Sequence, residues 1–585
     1  MVYQTDYYLD LGDCTASRRL VICANSLPRL IREGKLLPRE VLIIEEIEQV
    51  LAHIFAASFE GNRQEVWNVL VWHLQRATKI IISDADLSQV TIKIIQHLAG
   101  ITSDDTDIII NDWSNDWSES SLTVMDYSDS NAWYEQLYQD VRAGRKLYIT
   151  AVEQQRILNL RDDLQQRFPE KRILCITSAN SQSPEVGKIL RSPNCEAMQE
   201  YDMVLTSPAV STGVSIDIDH FDCTFAYGDQ GIIGGTDFVQ QLLRPRQVTT
   251  VHLCLEAGGQ YVGSEDPDDI RAEAITKKDL FGLRYSRDFD GSFQEEEYIN
   301  AMAQVVAWQN RSRNAFAHHV RQLLIERGAR LEKVQAASET NYQKHLRVVG
   351  KERRNQQIEQ VLTAEPLASW EADLLRSMNY LPLSDKVRLT RYDIQQLYGH
   401  EPDRSLVEKH LHGKLEAQFR EFRDLHTDDA ELATRDQAER STEFAPHLTL
   451  YLPKKELRQE ILEVSGIGRD FQGQPNIEQF TAWLTEENRQ RLKAVLGIPV
   501  RTGKEARALG DVLRQLGISW KSKKVKKTRK HVYTINQEDV RFMHDLRASA
   551  TSEGTNTRII ILEENSPIGT PRHMTPFERM ISWAA

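Results

Sequence analysis

Residues 201–247 read YDMVLTSPAVSTGVSIDIDHFDCTFAYGDQGIIGGTDFVQQLLRPRQ, and the order of apolar runs and turn residues in this stretch decides the fold class. Met203 to Pro208 (MVLTSP) is a short buried-strand pattern that leads into a small-residue turn, Ser211-Thr212-Gly213-Val214-Ser215. A second strand pattern, Cys223 to Tyr227, comes next. Asp237 to Gln247 then has a helix-like pattern that carries Gln240, Arg244 and Arg246 at the spacing Q-x-x-x-R-x-R. Strand, turn, strand and helix in that order predict an α/β unit with a mostly parallel sheet.

The residue types point to phosphate chemistry. Phosphoryl transfer requires positive charge where negative charge develops, and a guanidinium is a permanently charged, forked donor that lysine does not reproduce. Arg244 and Arg246 are therefore candidate catalytic fingers, with Gln240 on the nucleotide side. Two arginines at a helix end are often merely solvated, but their place after the strand, turn and strand favours the functional reading. The order resembles the second lobe of a RecA-like motor. That likeness implies that the turn with Thr212, Gly213 and Ser215 links nucleic acid to nucleotide, and that the arginines reach a γ-phosphate held on another lobe.

Upstream lie parts of a first lobe. Leu20 to Ala24 and Val41 to Ile44 are strand-like, and the second runs into Glu45-Glu46-Ile47-Glu48-Gln49. Acids at the end of a buried strand are where such a motor holds Mg²⁺ and positions water. Glu46 suits the catalytic carboxylate and Glu45 the metal ligand, although aspartate is usual at the first of these positions. A glutamate-rich helix start is the alternative explanation. A third strand, Lys79 to Ile82, ends in Ser83-Asp84-Ala85-Asp86-Leu87-Ser88, which is either a coupling motif or an N-cap cluster. Nowhere does the sequence contain G-x-x-x-x-G-K-[ST], so no glycine-rich nest and lysine are present to cradle β- and γ-phosphates. The expectation is a chain that begins inside the first lobe, either as the downstream part of a longer protein or as an initiator that has lost its ATPase.

CANSLPRL (23–30), LIIEEIEQVLAHI (42–54), IIISDADLS (80–88), TSPAVSTGVSID (206–217) and FVQQLLRPR (238–246) together resemble the helicase part of cyanobacterial plasmid replication primase-helicases, which are distantly similar to the herpesvirus origin-binding helicase. The resemblance covers roughly the first 260 residues and implies superfamily 2 helicase chemistry with ATP and Mg²⁺ and a role in replication initiation. It also implies that a phosphate loop and a primase-like region belong upstream.

Composition bounds the reading. A chain of 585 residues accommodates several cores. Six scattered cysteines with no C-x-x-C argue against a disulfide framework or a zinc motif. No long apolar run or signal-peptide pattern is present, and a cytoplasmic location with no membrane role is expected. The net charge of -13 excludes a uniformly basic surface but not a local basic site.

Such a site is expected near the end of the chain. Leu509, Leu513 and Leu516 recur at helical spacing, while Lys504, Arg507 and Arg514 line another face. Trp520 then opens KSKKVKKTRKHVYTI, whose first ten residues include seven Lys or Arg. Helix, strand, basic turn and strand form the layout of a winged helix. Lys523, Lys524, Lys526, Lys527, Arg529 and Lys530 would then contact phosphates, the alternative being a solvated basic loop.

The expected organisation is α/β. It comprises a partial first RecA-like lobe (1–105), a connector (106–139), a complete second RecA-like lobe (140–262), an all-α accessory region (263–443), a winged-helix-like DNA-binding domain (444–547) and a flexible tail (548–585). The expected partners are DNA and a polypeptide carrying the phosphate loop. A non-catalytic origin-binding protein with a degenerate helicase scaffold is the rival reading.

Overall fold

The computed structural model describes residues 5–31, 34–110, 122–181, 183–194, 196–208, 214–231, 233–256, 262–280, 295–335, 337–378, 380–524 and 531–552. Four short strands open the chain: β1 (Asp6–Tyr7), β2 (Leu20–Val21), β3 (Val41–Glu45) and β4 (Lys79–Ser83). A seven-stranded sheet follows, built from β5 (Thr123–Tyr127), β6 (Leu147–Ala151), β7 (Ile173–Ile176), β8 (Met203–Thr206), β9 (Cys223–Gly228), β10 (Thr250–Leu255) and β11 (Arg330–Val334). The hairpin β12 (Trp520–Lys524) and β13 (His531–Ile535) lies near the end.

The large sheet has the order β11-β5-β10-β9-β6-β8-β7, and every neighbouring pair is parallel. Such a sheet must be covered on both faces, which is why its central strands read as unbroken apolar runs. Leu147, Ile149, Phe225 and Tyr227 pack on one face beneath the helices Ser130–Arg142 and Gln154–Arg167. On the other face Ala226, Val251 and Leu253 meet Phe238 and Leu242 of the helix Gly235–Leu242 and Val320 and Leu324 of the helix Phe316–Glu326. The two strands read at Met203 and at Cys223 to Tyr227 are β8 and β9, β8 starting at Met203 and β9 running one residue further to Gly228.

Elsewhere tertiary contacts overrule the local pattern. Strand-like character at Leu20 to Ala24 survives only over Leu20–Val21, because Ala24–Leu30 coils into a 3₁₀ turn whose Leu30 is buried. The stretch read as a connector supplies β5 and a helix that covers the sheet. The region read as all-α contributes β11, which pairs with β5. That region is also shared among the cores. Tyr298 of the helix Glu295–Asn314 is wholly buried against Phe55, Trp67 and Phe444 in the core around β3 and β4, and Tyr342 and Leu346 of the helix Tyr342–Thr363 join the core of the large sheet.

The small sheet is the parallel pair β3 and β4. One face, with Leu42, Ile44, Ile80 and Ile82, packs on helices. On the other face Val41, Ile43 and Ile81 are exposed.

Residues 358–550 form a largely helical unit around Phe419, Phe422, Ile461, Leu509 and Leu513. The helix Glu505–Gln515, the antiparallel pair β12 and β13 and the helix Gln537–Ser552 are built into it, since Leu509, Leu513, Ile535 and Met543 belong to that core. The last helix runs on through part of the segment assigned to a tail, and residues 553–585 lie outside the described residues. Among the described residues, no helix is long and apolar enough to cross a membrane.

Candidate functional site

The carboxyl-terminal ends of parallel strands, where loops diverge, are where open α/β sheets place ligands. Here those ends face the small sheet across a cleft of about 2570 Å³. Glu45, Glu46 and Gln49 line one side, and Gln154, Ser178, Ser207, Val214 and Asp237 the other.

Glu46 follows β3 and adopts a left-handed backbone conformation (φ 52°, ψ 48°), which is rare for a glutamate and costs of order 1–3 kcal/mol. The turn aims its carboxyl inward, and Oε2 is buried without a hydrogen-bond partner. Burial, reinforced by the negative charge of Asp84, raises the Glu46 pKa, while the Arg244 guanidinium acts in the opposite sense. Glu45, one residue earlier on the pleat, is exposed. The two predicted acids therefore have different environments, and only Glu46 is held in the interior of the site.

The turn after β4 is tied to the one after β3. Asp84 accepts from the Glu48 backbone N–H at 3.1 Å, and Glu48 accepts from that of Ser88 at 2.7 Å. Ser88 caps the next helix by accepting from Thr91 at 3.1 Å, so the N-cap reading of this cluster holds at Ser88. Burial raises the Asp84 pKa as well.

The arginines are not on the helix. It ends at Leu242, and Arg244 to Arg246 run extended beside Ile216: the Ile216 N–H donates to the Arg244 carbonyl at 3.1 Å and the Arg246 N–H to the Ile216 carbonyl at 2.9 Å. Pro245 is the cause, because proline disfavours the α conformation of the residue before it and offers no N–H of its own. Arg244 is consequently buried, with Nη1 donating to the Val214 carbonyl at 2.9 Å and Nε unpartnered. Burial lowers its pKa, while the Tyr148 side chain and, to a smaller extent, Glu46 act in the opposite sense. Arg246 is exposed, and its Nε donates to Ser215 Oγ at 3.4 Å. Ser215 Oγ in turn donates to Asp217 at 2.8 Å.

Gln240, expected at the nucleotide, instead bridges the two sheets by donating to Asp86 at 3.0 Å. Arg327 pairs with the same carboxylate. Asp86 is thus a hub within the stretch read as either a coupling motif or an N-cap cluster, and Arg327 carried no local signal, being 241 residues away in the chain. Thr212 and Gly213 lie outside the described residues.

The basic region is separate from the cleft. Lys504, Arg507, Arg514, Lys523 and Lys524 are exposed and none lines it. Arg514 pairs with Asp511. Lys526, Lys527, Arg529 and Lys530 lie outside the described residues.

An Mg²⁺ ion is commonly held by only one or two carboxylates together with waters and phosphates. The inward, unpartnered carboxyl of Glu46 fits that role better than exposed Glu45. Arg244 fits the phosphate side, but the sequence offers no glycine-rich loop to complete a nucleotide site.

Residues 3–266 match the family model described as "Origin of replication binding protein". An uncharacterized protein of Picosynechococcus sp. is 30% identical over 227 residues, covering 36% of this chain and 22% of that protein. A protein assigned to a helicase/primase complex in African swine fever virus (isolate Pig/Kenya/KEN-50/1950) is 24% identical over 344 residues, 55% of this chain and 31% of its own length. The replication origin-binding protein of human herpesvirus 7 is 25% identical over 241 residues, 40% and 28% respectively. These likenesses establish a distant relationship to helicase-type replication proteins. The chain spans between 22% and 31% of the length of these three relatives.

Proposed function

We propose that the chain serves the initiation of DNA replication as part of an ATP-dependent superfamily 2 DNA helicase, in which the two parallel sheets are the two RecA-like lobes. The observation that carries this reading is the junction between them: Gln240, on the helix before Arg244, donates to Asp86, in the turn after β4, at 3.0 Å. In such a site Glu46 would orient water and hold the metal, with Glu45 at the rim, and Arg244 and Arg246 would meet the charge that develops on a transferred phosphoryl group. ATP hydrolysis would supply the free energy, and Mg²⁺ would neutralise and position the phosphates. The partners are DNA and a polypeptide that carries a phosphate loop, and the compartment is the cytoplasm.

The chain alone is expected to bind DNA and not to hydrolyse ATP, because arginines act only once a nest and a lysine have fixed the phosphates. DNA-stimulated phosphate release, measured on the chain by itself and after mixing with a phosphate-loop lobe of a related replication protein, tests this. Turnover only on mixing supports a split motor. Robust turnover by the chain alone overturns the reading. No turnover in either case, with DNA binding retained, favours a non-catalytic origin-binding protein, the reading that the missing G-x-x-x-x-G-K-[ST] supports.

In this proposal the hairpin β12 and β13 is the wing of a winged helix that contacts DNA phosphates. Changing Lys523, Lys524, Lys526 and Lys527 together to alanine is expected to weaken duplex binding for all sequences. The slope of log K against log salt should fall by up to about 0.9 per lost contact. An unchanged slope would make the run solvated surface.

A further inference from the structure

On the amino-terminal edge of the large sheet, away from the cleft, three potential metal ligands converge in the interior. Cys223 opens β9, His252 is the third residue of β10, and Asp140 lies near the end of the helix Ser130–Arg142. Their exposures are 0%, 6% and 4%. Cys223 Sγ is 3.7 Å from Asp140 Oδ2, His252 Nε2 is 3.9 Å from the same oxygen, and the three donor atoms lie within 4.8 Å of one another.

Contacts on several sides fix the orientation of the histidine. Its ring stacks on Phe225 (centroids 4.4 Å apart, planes 9° apart), and its backbone carbonyl accepts from Trp133 Nε1 at 2.9 Å. Nδ1 is 3.0 Å from the Tyr127 hydroxyl. These contacts direct Nε2 at Asp140, yet Nε2 is buried with no hydrogen-bond partner. A buried polar atom left unsatisfied costs about 1–3 kcal/mol, and a cation would satisfy it.

We propose that Asp140, Cys223 and His252 form a binding site for one zinc-class divalent cation. In tetrahedral zinc coordination, bonds of about 2.0–2.3 Å place donor atoms roughly 3.3–3.8 Å apart, close to the two separations observed. The remaining separation must shorten by up to about 1 Å. A thiolate with an imidazole and one carboxylate selects a borderline-soft cation over Mg²⁺ or Ca²⁺. The second ring of contacts is that of a metal centre: the Tyr127 hydroxyl orients the imidazole through Nδ1, and Gln136 occupies Asp140 Oδ1 at 3.0 Å, leaving Oδ2 for the ion. Arg145, 3.4 Å from Oδ2, competes for it, but its side chain is half exposed and free to swing into water. Binding displaces the Cys223 thiol proton to solvent, and water takes the fourth position. The ion would pin the helix to two strands, which assigns it a structural role independent of ATP.

Cobalt titration of the whole metal-free chain tests the site. One equivalent of Co²⁺ is expected to produce the absorption of a tetrahedral thiolate complex, and Zn²⁺ should bleach it. The band should vanish in C223S, and Y127F, which keeps all three ligands, should bind about 10- to 100-fold more weakly. A wild-type chain that shows no thiolate band with excess cobalt overturns the proposal whatever the variants do. So does a band that persists in folded C223S.

Discussion

Replacing Arg244 by alanine, in the chain completed with a phosphate-loop lobe, is expected to lower DNA-stimulated ATP turnover by roughly 10³ or more while DNA affinity changes only a few-fold. The prediction rests on the proposed motor and on where the guanidinium lies. Because Pro245 ends the helix, Arg244 is carried on a segment beside Ile216, and its side chain is buried with Nε unused. A fixed, partly desolvated charge stabilises developing negative charge without having to be reorganised during the reaction. The same arginine also satisfies the Val214 carbonyl, so alanine should cost about 1–3 kcal/mol of stability. The two effects separate by measurement: a finger lowers kcat in protein that remains folded at the assay temperature, whereas a purely structural arginine lowers activity only in proportion to the folded fraction. Lysine at position 244 keeps the charge but loses the fork and should recover little turnover. Arg246, exposed and loosely tied to Ser215, should give a smaller loss.

Trp133→Ala is expected to destabilise the unit built on the large sheet by about 3–5 kcal/mol. Trp133 is 1% exposed and meets Tyr134, Phe225 and Tyr227 edge-on at 4.9, 5.4 and 5.4 Å. Its Nε1–H donates to the His252 carbonyl, so truncation opens a cavity and also strands a buried acceptor. Denaturant unfolding monitored by circular dichroism gives the value, and a loss below about 1.5 kcal/mol would show that the site repacks or is less central than its burial implies. Trp133→Phe, which keeps the aromatic contacts without the donor, should cost less than alanine.

These two residues mark how legible the chain was. The aromatic contacts of Trp133 cross from a helix to a strand about ninety residues downstream, and the segment that contains it reads locally as a polar connector. By contrast β8 and β9 were plain in the sequence, since strands buried on both faces of a parallel sheet must be apolar throughout and stop at small or polar turn residues. Q-x-x-x-R-x-R was legible as a charged segment after the second strand, but the same periodicity extended the helix past Pro245, where the backbone does not follow. The place of Glu46 after a strand was legible in the sequence, whereas its left-handed turn, beside the hydrogen bonds linking Asp84, Glu48 and Ser88, was not.

The sequence by itself determined the parallel α/β class, the strands between residues 140 and 262 and the acidic and arginine-bearing segments. Each is encoded in residues that neighbour one another, through periodicity, turn chemistry and proline. Only the tertiary structure decided that Gln240 bonds Asp86, that Tyr298 completes the core around β3 and β4, that β5 and β11 extend the large sheet, and that Asp140, Cys223 and His252 share one interior point. Those outcomes depend on which surfaces are buried together by segments far apart in the chain, and local patterns of side chains do not specify that choice.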